Sequence, residues 1–247
     1  MINPYLSTIN SRTLIAISIS VVCVMLAFHF NINFNIDLTL LSIAIIFPLV
    51  FTIRGSFRRR EKALEHLSQF RSSLKTLYYF MMSNEKMPDE GKQEIAGILS
   101  KIGDKTIAHL RNQDNCMEDL DVHINEIYAF ILANNGTVGR SLKEKMFRFM
   151  HDLHEAIDNL NAIHIHRTPI SLKAYCKVFI YIFPIIYAPT VINHIGADQN
   201  QFITYAVVLL TEFILISLYN IQDHLEYPFD SKGLDDIKLD QFKMNRK

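Results

Sequence analysis

Glycine and proline are scarce in this chain, 8 and 7 among 247 residues. So few breakers leave little room for many tight turns and favour long helices. Cysteine is scarcer still. Cys23, Cys116 and Cys176 are odd in number and widely scattered, which excludes a disulfide framework and metal-type spacing. Two of them lie inside apolar stretches and read as small buried hydrophobes. No sign of charge dominates: 25 basic residues balance 25 acidic ones, so net charge points to no polyanion, and no nucleic-acid partner is expected. No segment of any length alternates apolar and polar residues as a strand would. A phosphate loop, a nucleophile elbow and paired catalytic carboxylates are lacking too. The chain is therefore expected to be no enzyme and to hold no cofactor.

What is present is long and apolar. Four stretches, Thr13–Phe30, Leu38–Ile53, Ala174–Ile192 and Phe202–Tyr219, stand as two pairs around a charged middle. Each is about the length that crosses a hydrocarbon core roughly 30 Å thick. A segment in lipid must satisfy its own backbone groups, so these stretches are expected to be helices. The first follows only one basic residue, Arg12, and no small-residue cleavage site precedes the second, so it reads as retained rather than as a signal peptide.

Lysine and arginine set the expected orientation. Neither occurs in the connections His29–Asp37 and Asn193–Gln201, whereas Arg54, Arg58, Arg59 and Arg60 follow the second stretch and Lys238, Lys243, Arg246 and Lys247 end the chain. The middle and both termini are thus expected in the cytoplasm, with the lipid bilayer as a partner. The arginine run holds topology against anionic headgroups.

The soluble part reads as helices as well. Leu67, Phe70, Leu74, Leu77 and Met81 alternate spacings of three and four, one stripe on a helix that continues the second membrane crossing. Met87–Gly91 reads as a turn, followed by helices near Lys92–Leu110 and Glu118–Ala133, the latter with Leu120, Ile124, Ile127 and Ile131 on one face. Asn134–Gly139 is the clearest loop, and Leu142, Met146, Met150, Leu153, Ile157 and Leu160 form a last stripe. The expected fold is an all-α membrane protein. A first transmembrane helix pair (1–56), a cytosolic helical region (57–172), a second pair (173–221) and a cytosolic C-terminal segment (222–247) make one unit.

Several short motifs, in order, resemble the bestrophin family and its bacterial members. Leu49-Val50-Phe51 followed by Ser56-Phe57-x-Arg59 is similar to an apolar helix running into F-R-x-N-x-S-Y-x-R-W-W-E-A-R, with Phe57 for the tyrosine, Arg60 for the first tryptophan and Ala63 at the alanine. Arg167-Thr168-Pro169-Ile170 resembles the bacterial T-P-I-P, and Phe183-Pro184 the L-P-F of the third helix. Glu226-Tyr227-Pro228-Phe229 resembles E-D-P-F or E-N-P-F, and Asp235-Asp236-Ile237-Lys238-Leu239-Asp240 resembles N-D-L-P-L-D. The chain departs from the family in having no tryptophan and in Asp230 where glycine is usual after P-F. No motif is matched across Met82–Asn159.

The resemblance implies a homopentamer with one axial pore for small monovalent ions, anions such as chloride ahead of cations. The family lines a hydrophobic neck with three apolar residues spaced by four on the second helix, and Ile43, Phe47 and Phe51 hold that spacing here. Residues four apart stack along one helix face, and rings of such residues gate by dewetting. Read without the family, the same face could equally meet lipid or another helix, and Pro48 within the stripe can bend it. The family's cytosolic constriction corresponds by spacing to Ile165, which could equally be a buried residue of the helical bundle. Animal members hold calcium in the acidic run after P-F; Asp235 and Asp236 are the calcium candidates here, although Lys232 and Lys238 interrupt the run and no metal is expected.

Two further features stand outside these motifs. Glu212 falls near the middle of the fourth stretch, where a charge costs on the order of a few kcal/mol unless it is neutralised or faces protein or water. It is the candidate intramembrane polar site. His151 and His154 share a helix face, with His164 and His166 nearby, but His29, His194 and His224 do not complete the boxes of a membrane di-iron enzyme. A competing reading from another class is a non-conducting membrane scaffold or sensor whose helical middle binds a cytosolic partner. The third reading is a metal-dependent membrane enzyme.

Overall fold

The computed structural model describes residues 9–112, 117–196, 200–233 and 235–244, the side chains of 118 and 119 excepted. Among these residues seven α-helices follow in order: α1 (Ser11–His29), α2 (Thr39–Met82), α3 (Asp89–Arg111), α4 (Met117–Ala133), α5 (Arg140–Ile165), α6 (Ile170–Ile195) and α7 (Gln201–Glu226). A short 3-10 helix spans Leu239–Phe242, and no strand occurs among the described residues. The scarcity of glycine and proline thus gives long helices, α2 alone running for 44 residues.

Among the described residues four helical stretches are long and apolar enough to cross a membrane: α1, α2, Arg140–Ile195, whose apolar part is α6, and α7. The protein is an integral membrane protein.

Local signals account for the helix limits. Asn10 caps α1, its side-chain oxygen accepting the N–H groups of Arg12 at 3.0 Å and Thr13 at 3.2 Å, while Thr13 Oγ1 accepts the Asn10 N–H in return. Asp89 and Glu90 open α3 and His109 and Arg111 close it, both in keeping with the helix dipole. The turn read over Met87–Gly91 is corrected here: the turn lies before it, and α3 has already begun at Asp89. Pro88 at the N-cap needs no N–H, and Gly91 inside the first turn leaves room for Met87, whose Cγ would lie 3.3 Å from a Cβ there. Pro169 marks the break between α5 and α6 because the residue before a proline is turned away from helical geometry.

The chain forms two compact units. The first comprises residues up to Arg58 together with Thr168–Glu226. In it α1, α6 and α7 pack mutually. Ile45 and Leu49 of α2 join Cys176, Ile180, Leu215 and Ile216 in one buried cluster.

The second unit comprises Arg59–Arg167 and Tyr227–Lys247. Its core is the stripe anticipated on α2: Leu67, Phe70, Leu74, Leu77 and Met81 are all fully buried. Leu120, Ile124, Ile127 and Ile131 of α4 and Met146, Leu153, Ile157 and Leu160 of α5 meet the same core, while Leu142 and Met150 are only partly buried. Phe229, Ile237 and Leu239 from the C-terminal segment complete it. Truncating Phe70 to alanine is expected to cost about 3–5 kcal/mol, the usual range for a buried phenylalanine. A thermal melt of the detergent-solubilised protein measures it as a lowered midpoint.

Candidate pore-lining face and the network that holds it

The membrane part of α2 has two faces. Ile45, Leu49, Thr52 and Ser56 are buried, each a helical turn or two from the last. Ile43, Phe47 and Phe51 fall on the opposite side and are 46%, 58% and 60% exposed in the single chain. The Phe47 and Phe51 rings lie 6.0 Å apart, centroid to centroid. Ile43 and Phe47 also line a surface depression with Leu38, Thr39, Ser42 and Ile46. The helix therefore presents a continuous aromatic and aliphatic strip that its own chain leaves uncovered. Pro48 lies within α2, and the helix continues through it.

Polar contacts fix the buried face of α2 and the helices behind it. Tyr175 of α6 donates its hydroxyl to the Ala44 carbonyl at 3.1 Å. Gln222 of α7 reaches Ser56 Oγ at 3.5 Å and Glu226 Oε2 at 3.0 Å through Nε2. Lys173 of α6 lies 2.8 Å from Asp223 Oδ1 and 2.7 Å from Glu226 Oε2, and Arg12 of α1 lies 2.6 Å from Asp223 Oδ2. Glu226 accepts the Thr168 N–H through Oε1 at 3.0 Å. Two cations and two carboxylates thereby tie α1, α6 and α7 together at one end of the membrane helices, and Gln222 extends the network to Ser56 of α2. In the sequence Arg12 served only to argue against a signal peptide, Glu226 stood only as part of a motif, and Lys173 was passed over. The available signal was the acidic pair three apart at the end of an apolar helix, with a lysine at the start of another.

The other residues singled out from sequence are dispersed. Ile165 is the last residue of α5 and is 57% exposed. Glu212 is 1% exposed, and neither carboxylate oxygen finds a hydrogen-bond partner among the described residues. Val208, Leu215 and Ile216, on the same face of α7, are buried with it.

The calcium candidates point elsewhere. Asp235 is exposed, and its carbonyl accepts Arg60 Nε at 2.6 Å. Asp236 Oδ2 accepts the Gly233 N–H at 2.7 Å. Burial, with a hydrogen bond to Asp230 next, pushes the Asp236 carboxyl up to about 6. Among the described residues no group of three or more histidines, cysteines or acids is placed to hold a metal ion. The run instead folds the C-terminal segment onto itself. A Cβ at Gly233 would stand 2.6 Å from Asp236 Oδ1. Gly233→Ala is therefore expected to displace that carboxyl and cost about 1 kcal/mol, read as a lower melting midpoint with the membrane helices unaffected.

No family model matches the sequence, and no curated protein does. Solved structures do. A bacterial bestrophin homologue from Klebsiella pneumoniae carrying a mutation superposes with a TM-score of 0.75 at 15% identity, over 94% of this chain and 93% of that one. The chain has the bestrophin fold. A second structure of the Klebsiella pneumoniae homologue gives a TM-score of 0.73 at 16% identity, with the same coverage of both chains. Another mutant of it gives 0.69 at 15% identity over 94% of each. The likeness spans 94% of the chain, far more than the short motifs cover. The bestrophin fold is thus built here from a sequence that keeps the membrane-helix pattern and little of the family's residue identity.

Proposed function

We propose that this protein is a bestrophin-like ion channel. Five copies surround an axial pore that passes small monovalent ions, anions such as chloride ahead of cations. In this reading Ile43, Phe47 and Phe51 of α2 form three apolar rings at the neck, and Ile165 forms the cytosolic constriction. The protein lies in a bacterial inner membrane with both termini in the cytoplasm.

One observation carries the reading. The strip Ile43–Phe47–Phe51 lies opposite the buried face of α2 and is left open by its own chain. Repeated around an axis, such a strip makes a constriction that cannot replace an ion's hydration shell, so it gates by excluding water. The bestrophin fold supports it, since the homologues share the arrangement of helices over nearly the full chain.

Planar-bilayer recording of the purified protein, with mass measurement in detergent, tests it. A pentamer carrying ion-dependent current is the expected result. A monomer or dimer without current would instead favour the scaffold reading.

A further inference from the structure

His164 is the penultimate residue of α5, directly before Ile165. Its ring is 5.6 Å from that of His109 in the last turn of α3, tilted by 58°, and 6.2 Å from Phe229 of the C-terminal segment. His109 is 6% exposed. Its Nε2 lies 2.9 Å from Asn161 Oδ1, an oxygen that only accepts, so Nε2 carries the hydrogen and donates it. Nδ1 of the same ring is buried and has no partner among the described residues. The two imidazoles pack against each other, and His164 also against Phe229.

The charged groups on the surrounding elements do not offset a proton placed there. On α3, Arg111 is engaged with Asp240 at 2.5 Å. After α5 come His166 and Arg167, the latter 4.3 Å above the Tyr227 ring. In the C-terminal segment Asp230 and Asp236 bond to each other, and Asp240 also binds Lys243 at 3.0 Å. The charges that bear on His164 are His109 and Arg167, with no carboxylate among them. Burial pushes the His164 imidazole below its ordinary range, His109 and Arg167 push it further, and only the Asn112 backbone opposes them. The dipole at the end of α5 favours a cation at this position, but burial and the like charges outweigh it.

We propose that the His109–His164 pair is a proton-operated latch on Ile165. With His164 uncharged, its ring packs against His109 and Phe229 and holds the last turn of α5. A proton on His164 cannot be accommodated beside its neighbours, so the rings separate and Ile165 is released. This regulation rests on the channel reading for its consequence, an opened cytosolic constriction. Because packing lowers the proton affinity of His164, the latched state is fully favoured above about pH 6.5 and is lost as the pH falls below it.

The test uses the full-length protein and His164→Phe, which keeps an aromatic ring that cannot titrate, with His109→Gln as a second variant should the first misfold. Current in planar bilayers and melting midpoint in detergent are compared at about pH 7.5 and about pH 5.5. Expected are a several-fold rise in current and a falling midpoint for the wild type on acidification, both flattened in the variant. An unchanged pH response in a folded variant, or none in the wild type, overturns the latch. Current absent throughout, with the midpoint shift still removed by the variant, upholds the latch and rejects the channel reading.

Discussion

Replacing both Phe47 and Phe51 by alanine is expected to raise ion current several-fold at fixed voltage, with the folded oligomer retained. The two rings are more than half exposed in the single chain, so their removal empties no packed core. It instead removes aromatic bulk from the face opposite Leu49 and, on the proposed channel reading, widens an apolar constriction. Water fills a wider, less apolar neck at lower cost, and the barrier to a hydrated ion falls with it. Bilayer recording gives the current, and detergent mass measurement shows that assembly is intact. A current unchanged by the double substitution would place the barrier elsewhere, and a current abolished with assembly intact would give these rings another role.

The second large effect concerns the charged network. Lys173→Met is expected to lower stability by about 3 kcal/mol, the lower end of the range for breaking a buried ion pair. The cost arises because Glu226, 1% exposed at its side chain, and Asp223, 22% exposed, lose a shared cation 2.7 and 2.8 Å away. Arg12 still meets Asp223, which limits the loss. Glu226→Gln in the same background is expected to restore part of it, since the uncompensated charge goes while the amide oxygen still accepts the Thr168 N–H and the amide NH2 meets Gln222 once that side chain turns its own oxygen toward it. A double-mutant cycle on melting midpoints reads that coupling. Additive losses in the two single variants would show that Lys173 and Glu226 do not act as a pair.

Much of the fold was legible because the same hydrophobic rule acts in both solvents. In the soluble part, apolar residues spaced by three and four on α2, α4 and α5 announced the faces that became the core. In the membrane, apolar run length alone located four crossings. The extent of α2 was readable too, since only Gly55 interrupts the passage from Ile53 to Phe57 and one glycine does not end a helix. The start of α3 was misread because Met87-Pro88-Asp89-Glu90-Gly91 contains three of the usual turn residues, proline, aspartate and glycine. Pro88 caps the helix, however, and the acids belong to its first turn, where the dipole welcomes them.

The site was less legible. Spacing marked Ile43, Phe47 and Phe51 as one face, but periodicity does not say whether an uncovered apolar face meets lipid, another helix or a pore. The Arg12–Lys173–Asp223–Glu226 network joins positions up to 214 residues apart in number, and each member alone passes for an ordinary residue at a helix end. His109 and His164 were hidden for the same reason: their pairing depends on how α3 and α5 converge, which no local pattern reports.

The central claim is that the Phe47 face lines water shared by several copies of the chain. It is tested most directly by Phe47→Cys in a protein freed of Cys23, Cys116 and Cys176. A charged, membrane-impermeant thiol reagent is expected to modify the new thiol and reduce the current. Resistance to that reagent, together with quenching of a label at this position by lipid-dissolved quenchers, would contradict the account.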